Sequence, residues 1–218
     1  MTGLETVWRA LPSLWGGLAV TLEASALSVA FALIGGVLLG TTLVFGPWPL
    51  RLPIRGLVDL VRGIPVLVLI FFVYYVGPAA GLNLGSFAAA VLALSLFSAS
   101  QVAEITRGAI SSVHHGQMEA ARAIGLNFPQ RLIWVIFPQA IRRFLPPWIN
   151  SVTDTVKGSA LISLVGIVDL MLSIQQVIGR TYDPMPFYIL GALIYLAINY
   201  SLSSASRHLE ARFAYAAT

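Results

Sequence analysis

The 218-residue chain has no cysteine and little charge: Asp, Glu, Lys and Arg make up 10% of it, against roughly 25% in an average soluble domain. Without cysteine there can be no disulfide, thiol nucleophile or thiolate-held metal, and His114, His115 and His208 do not make a zinc site. Lysine occurs once, at Lys157, preceded by Val156. A phosphate-binding loop needs Gly-Lys-Ser/Thr, so the chain does not hydrolyse ATP by that route. What is abundant is apolar: 57% hydrophobic residues and a mean hydropathy of +0.84 describe a membrane protein. The net charge of +4 then reads as loop arginine, not as a nucleic-acid-binding surface.

A spanning helix needs about 20 mostly apolar residues. Residues 10–50 carry one charge, Glu23, while 63–103 and 184–206 carry none. The run 63–103 is too long for one span, and Gly77-Pro78, Gly81 and Gly85 divide it into a helical hairpin. The pattern predicts an all-α polytopic membrane protein with about five transmembrane helices, near 17–45, 60–77, 85–106, 146–173 and 185–207, in one domain over 1–218. Arg51, Arg55, Arg62, Arg107, Arg122, Arg131, Arg142, Arg143, Arg207 and Arg212 fall on one side of these spans, and only Arg9 and Arg180 on the other. The positive-inside rule therefore places the N-terminus outside and the C-terminus in the cytoplasm. The first apolar run is long, follows the acidic Glu5 and lacks a basic leader, so it is expected to stay in the membrane. Trp8, Trp15, Trp48, Trp148, Tyr182 and Tyr188 near span ends read as interfacial anchors.

Between the third and fourth spans, about 109–145 forms a cytoplasmic loop that is long enough to have a task. Its first half, 116–124, is rich in helix formers and is closed by Gly125, suited to a left-handed cap. Asn127, Pro129 and Gln130 predict a second helix opened by a capping box, which Pro138 interrupts or bends. The product is a compact helix-turn-helix shaped to dock into another protein.

Glu119-Ala120-Ala121, three residues, Gly125, nine residues, Val135-Ile136-Phe137-Pro138 resembles the EAA loop of ABC importer permeases, Glu-Ala-Ala, three, Gly, nine, Ile-x-Leu-Pro. Arg62-Gly63-Ile64-Pro65, Ala103-Glu104-Ile105-Thr106-Arg107-Gly108, Pro138-Gln139-Ala140 and Pro146-Pro147 are similar to the polar amino-acid uptake branch of that family. The resemblance runs over nearly the whole chain. It implies an inner-membrane half-transporter of a bacterium. Its partners would be a second permease chain (a copy or a paralogue), cytoplasmic ATPase subunits that hold ATP and Mg, and a periplasmic or extracellular solute-binding protein. No cofactor is expected in this chain, and it would not itself be an enzyme. The coupling residues carried over are Glu119, Ala120, Ala121, Gly125 and Pro138, with small alanines for close approach, Glu119 for a polar contact and Gly125 for the turn.

Candidates for the substrate path are Asp154, Lys157, Ser98 and Gln101. Ionisable groups at membrane depth are costly and so point to function, and the i,i+3 spacing of Asp154 and Lys157 puts them on one face. There they could pair with each other as a structural bridge or meet the two charges of a zwitterion. Lys157 aligns with a Lys frequent in the family. Where the family continues Asp-Thr-Ser-Leu this chain reads Gly158-Ser159-Ala160-Leu161, leaving Asp154 one turn earlier as the acidic group.

On the third span Ser95, Ser98, Gln101, Glu104 and Arg107 form a stripe that reads equally as path lining or as a packing seam. Glu104 and Arg107 suit an interfacial pair, and Glu23 suits a snorkelling acid near the outer surface. Gly35-Gly36 and Gly40 allow close helix approach, within the chain or between copies. An ion-coupled secondary transporter binding a proton or Na+ at Asp154 is the alternative, and the lack of an internal repeat argues against it. A membrane scaffold or receptor is a third reading, in which Asp154 and Lys157 have no evident purpose.

Overall fold

A computed structural model describes residues 3–214, with side chains from Val7 to His208. The side chains of Glu5 and Arg212 lie outside those described. Helix α1 (Gly3–Phe45) is one helix of 43 residues, about 64 Å long at 1.5 Å per residue. It starts well before the expected residue 17 and carries Pro12 within it. Gly46-Pro47 ends it, and α2 (Trp48–Gly63) starts with Pro49 in its first turn. Ile64, held extended by the proline that follows, ends α2, and α3 (Val66–Phe71) continues as a π turn, Phe72–Val76, and a 3₁₀ turn, Gly77–Ala80.

The chain turns by 108° between α2 and the segment Val66–Ala80. The expected span 60–77 is thereby corrected: Pro65 separates residues 60–63, which belong to α2, from a shorter segment beginning at Val66. Helix α4 (Ser86–Ser111) follows, then the short α5 (His115–Ala123) and α6 (Phe128–Arg131). A π turn at Leu132–Ile136 leads without a break into α7 (Phe137–Gly158). Pro138 has no N–H to offer the carbonyl four residues back, and the widened turn just before it takes up the mismatch.

The expected span 146–173 is two pieces. Helix α7 passes into a 3₁₀ segment, Ser159–Val165, and Gly166 turns the chain in the left-handed region. Helix α8 (Leu170–Thr181) then leaves at 51° to the preceding segment. Helix α9 (Pro184–Ala214) completes the chain. Among the described residues three helices are long and apolar enough to cross a membrane, over Val7–Phe45, Ser86–Ser111 and Pro184–His208, or up to five if each bent pair is one span. No strand occurs among the described residues.

The parallel pair α1 and α4 is the spine of the bundle. A Cβ at Gly36 would lie 2.4 Å from the Val102 Cβ, and one at Gly40 2.4 Å from the Ala103 carbonyl oxygen. These glycines therefore serve packing within the chain, the close approach by which helices gain dispersion contact in lipid. Gly35 has only Ala99 at 3.8 Å. One apolar core joins Ala24, Ile70, Ala90, Leu94 and Ile162; a second, around Leu14, Leu170, Ile174 and Phe187, fixes α8 and the start of α9 to the first half of α1.

Candidate functional site

The loop from α5 to the π turn is built by local chemistry. His114 caps α5 by accepting the Gly116 N–H at its Nδ1, and His115 Nδ1 lies 3.3 Å from the Glu119 carboxylate one turn on. At the other end the Leu126 N–H donates to the Ala121 carbonyl (3.1 Å) and the Gly125 N–H to the Arg122 carbonyl (3.0 Å), with Gly125 at φ +85°. That is a Schellman cap, which needs a left-handed residue where Gly125 stands. Asn127 Oδ1 then accepts the Gln130 N–H (3.0 Å) while Gln130 Oε1 accepts the Asn127 N–H (2.9 Å), completing the capping box.

The loop is fastened to the bundle by three further contacts. Phe45 and Phe128 meet edge to face at 5.4 Å, Met118 packs with Ile110 and Ile136, and the Arg143 guanidinium donates to the Ser112 carbonyl. Its outer side is bare: Glu119, Ala120, Arg122 and Gly125 are exposed, and Ile124 is 77% exposed. Ala121, by contrast, faces inward and is buried against its own chain.

Midway along α4, the hydroxyls of Ser98 and Thr155 lie 2.7 Å apart, and both residues are buried. Ser98 thus lies in the α4–α7 seam. Ser95 is likewise buried and donates to the Val91 carbonyl (2.6 Å). On the far side of α7 a polar stripe stands clear of the protomer at Asn150, Asp154 and Lys157, with Lys157 Nζ 3.1 Å from Asp154 Oδ1. Neither side chain of this pair is covered by its own chain, at 59% and 58% exposure. Charges that face lipid are costly, so a stripe of this kind on a spanning helix calls for water or another protein beside it. Lys157 also borders a recess of about 280 Å³ between α7, α8 and α9, walled by Met171, Ile174, Tyr188 and Tyr195. Sequence reasoning passed over Asn150, although its spacing of four residues before Asp154 continues the same helical face.

Gln101 is half-buried and borders a second recess, of about 330 Å³, with Arg62 and Glu104. Glu104 is the hub of a charge cluster: Arg55 donates to it at 2.9 Å, Arg107 at 2.8 Å, and Arg62 lies at 3.9 Å. The expected Glu104–Arg107 pair is present, but it also clamps α2 onto α4. Glu23 is exposed on α1, five residues before Ser28, whose hydroxyl donates to the Val91 carbonyl near the start of α4.

A further polar group not anticipated is Asp169, fully buried, which caps α8 by accepting the Leu172 N–H at 2.8 Å. Thr21 on α1 accepts the adjoining Leu170 N–H at 3.0 Å. An Asp directly before Leu-Met-Leu is an N-cap signal that could have located it.

Three to five apolar helical spans, an exposed Asp154–Lys157 pair on a bent one and a capped, outward-facing helix in the loop define a helical membrane protein. Residues 32–215 match the family model described as "Binding-protein-dependent transport system inner membrane component". The chain belongs to that family of inner-membrane permease subunits. It is 36% identical over 205 residues to the "Probable glutamine ABC transporter permease protein GlnP" of Bacillus subtilis, covering 93% of this chain and 94% of that one. It is 35% identical over 210 residues to the glutamine transport system permease protein GlnP of Escherichia coli, covering 95% and 96%. Among solved structures, that of an amino acid ABC transporter with histidines aligns with a TM-score of 0.89 and 30% identity over 97% of this chain and 99% of that one. The inward-facing methionine ABC transporter shares the fold at 21% identity, with a TM-score of 0.68 over 96% and 99%. These relatives are ABC permeases, which disfavours the ion-coupled secondary transporter.

Proposed function

We propose that this permease subunit imports a polar amino acid or a related zwitterion, working beside a second permease chain, with cytoplasmic ATPase subunits and an external solute-binding protein. ATP and Mg act on the ATPase subunits. The loop 109–145 faces the cytoplasm, the N-terminus lies outside, and the five crossings are α1, Val66–Ala80, α4, α7 with α8, and α9. The observation that carries this reading is the outer face of α5. A rigidly capped helix, pinned to α1, α4 and α7 but bare at Glu119, Ala120 and Ile124, is a lever awaiting a partner.

In this reading ATP-driven closure of the ATPase pushes α5. Gly125 and the capping box keep the loop from absorbing the motion, and Pro138 leads the push into α7. Helix α7 carries Asp154 and Lys157, and Gln101 borders the route at the level of Glu104. A zwitterion suits the pair because its ammonium and carboxylate can replace each partner of the bridge in turn, so that neither protein charge is left unpaired. Glutamine is the first substrate to test, given the relatives of that name.

The test is ATP-driven uptake by the reconstituted complex, with labelled glutamine competed by acidic, basic and neutral amino acids. Lys157→Gln is expected to raise the KM at least tenfold with little change in stability, because the lysine is exposed within the protomer. Uptake insensitive to every amino acid, with ATP coupling intact, would leave the permease and remove the substrate.

A further inference from the structure

We propose that the junction of α1, α2 and α4 is a binding site for the phosphate headgroup of an anionic phospholipid, with Arg51 as its principal cation. A recess of about 340 Å³ there is lined by Leu43, Trp48, Arg51, Leu52, Arg55 and Arg107. Trp48, Arg51, Leu52 and Arg55 share one face of α2 by their i, i+3, i+4, i+7 spacing. The 108° turn after α2 lays this helix across the ends of the bundle and not along it. Trp48, 74% exposed, stands at the rim in the position of an interfacial aromatic.

The charges around the recess do not balance within the chain. Glu104 is shared by Arg55, Arg62 and Arg107, and Asp59 pairs with Arg55 at 3.0 Å. Arg51 has no ion pair or hydrogen bond among the described residues. Four arginines thus meet two carboxylates, and the unpaired one opens onto a recess whose apolar walls are Leu43, Leu52 and Trp48.

A phosphodiester satisfies both halves of this lining. Its anionic oxygens match the arginine fork, and the glycerol and first acyl carbons below it match the apolar wall. An acidic protein surface would neutralise the arginines but leave Leu52, 61% exposed on the same face of α2, without an apolar partner. The first acyl carbons cover Leu52 and Trp48 in the same step.

The site lies beside Glu104, so a bound lipid would brace the clamp that holds α2 to the end of α4 from which α5 departs.

The test uses the full transporter complex in phosphatidylcholine nanodiscs with phosphatidylglycerol titrated in, and counts retained lipid by native mass spectrometry. The wild type is expected to retain phosphatidylglycerol over phosphatidylcholine, and Arg51→Gln to need about fivefold more for the same retention, as befits one basic residue near an anionic surface. Arg51→Lys should keep most of the preference. Arg180→Gln serves as control, because α8 packs on the first half of α1, away from Leu43. Equal retention by wild type and Arg51→Gln, absence of any phosphatidylglycerol preference, or protection of Arg51 by an ATPase subunit in the complex would each overturn the proposal.

Discussion

Ser98 on α4 and Thr155 on α7 share a hydrogen bond of 2.7 Å at the middle of α4, and the two residues flanking Thr155 by one and two positions, Asp154 and Lys157, turn to the opposite side of the helix. The same stretch of α7 is therefore both packing seam and charged face. Thr155 anchors, and its neighbours are displayed.

This division makes Ser98 a stability residue. Ser98→Ala should cost about 1 kcal/mol or less, because Thr155 keeps its bond to the Ser151 carbonyl at 2.9 Å. Thermal unfolding in nanodiscs checks the cost, and competition uptake should show an unchanged substrate preference. An altered preference with normal stability would return Ser98 to the path.

The α1–α4 spine makes a sharper distinction. Gly36→Val and Gly40→Val each force a Cβ within about 2.4 Å of α4 and should destabilise by about 1–3 kcal/mol or prevent folding. Gly35→Ala, whose added carbon would make an ordinary contact with Ala99 at 3.8 Å, should be tolerated. Comparing expression and melting temperature of the three variants tests whether these glycines serve packing within the chain. Loss of dimer with an intact protomer at Gly36 or Gly40 would point instead to contact between copies.

Glu104→Gln removes the common acceptor of three arginines and leaves their charges facing one another. With the acid only 14% exposed, the expected loss is about 2 kcal/mol, whereas Asp59→Asn, half-exposed, should cost under about 0.5 kcal/mol. Paired melts at low and high salt check this, the second variant also being the more easily masked by salt.

The legibility of this chain follows the range of its forces. Local chemistry was readable: Asn127, Pro129 and Gln130 announce their capping box, and Gly125 its left-handed cap, because both close within a few residues. The apolar runs likewise foretold α4 and α9 closely. What failed was the geometry of breaks. Pro65 marks a turn in sequence but not its 108°, and a helix that lies across the bundle has the same composition at residues 60–63 as one that enters it. The stripe from Ser95 to Arg107 looked uniform along α4, yet its members face different neighbours, Thr155 at Ser98 and three arginines at Glu104. Only tertiary packing separates them.

Gly125→Ala probes the rigidity of the corner proposed to carry the coupling. No atom lies within 4 Å of the added methyl, so the cost is the left-handed backbone alone, about 1 kcal/mol. Uptake per ATP hydrolysed should fall while subunit assembly persists. An unchanged ratio would mean that the corner transmits nothing.

The central claim is that the face of α5 bearing Glu119 links ATP hydrolysis to movement of α7. It is tested most directly by measuring ATP hydrolysis and labelled glutamine uptake together in proteoliposomes of the complete complex, wild type against Glu119→Lys. The account predicts that the wild type couples the two, and that the variant, its exposed side chain reversed in charge and its fold intact, loses ATP-driven uptake. Uptake by this chain alone, or by the complex at the wild-type rate with Glu119→Lys, would contradict it.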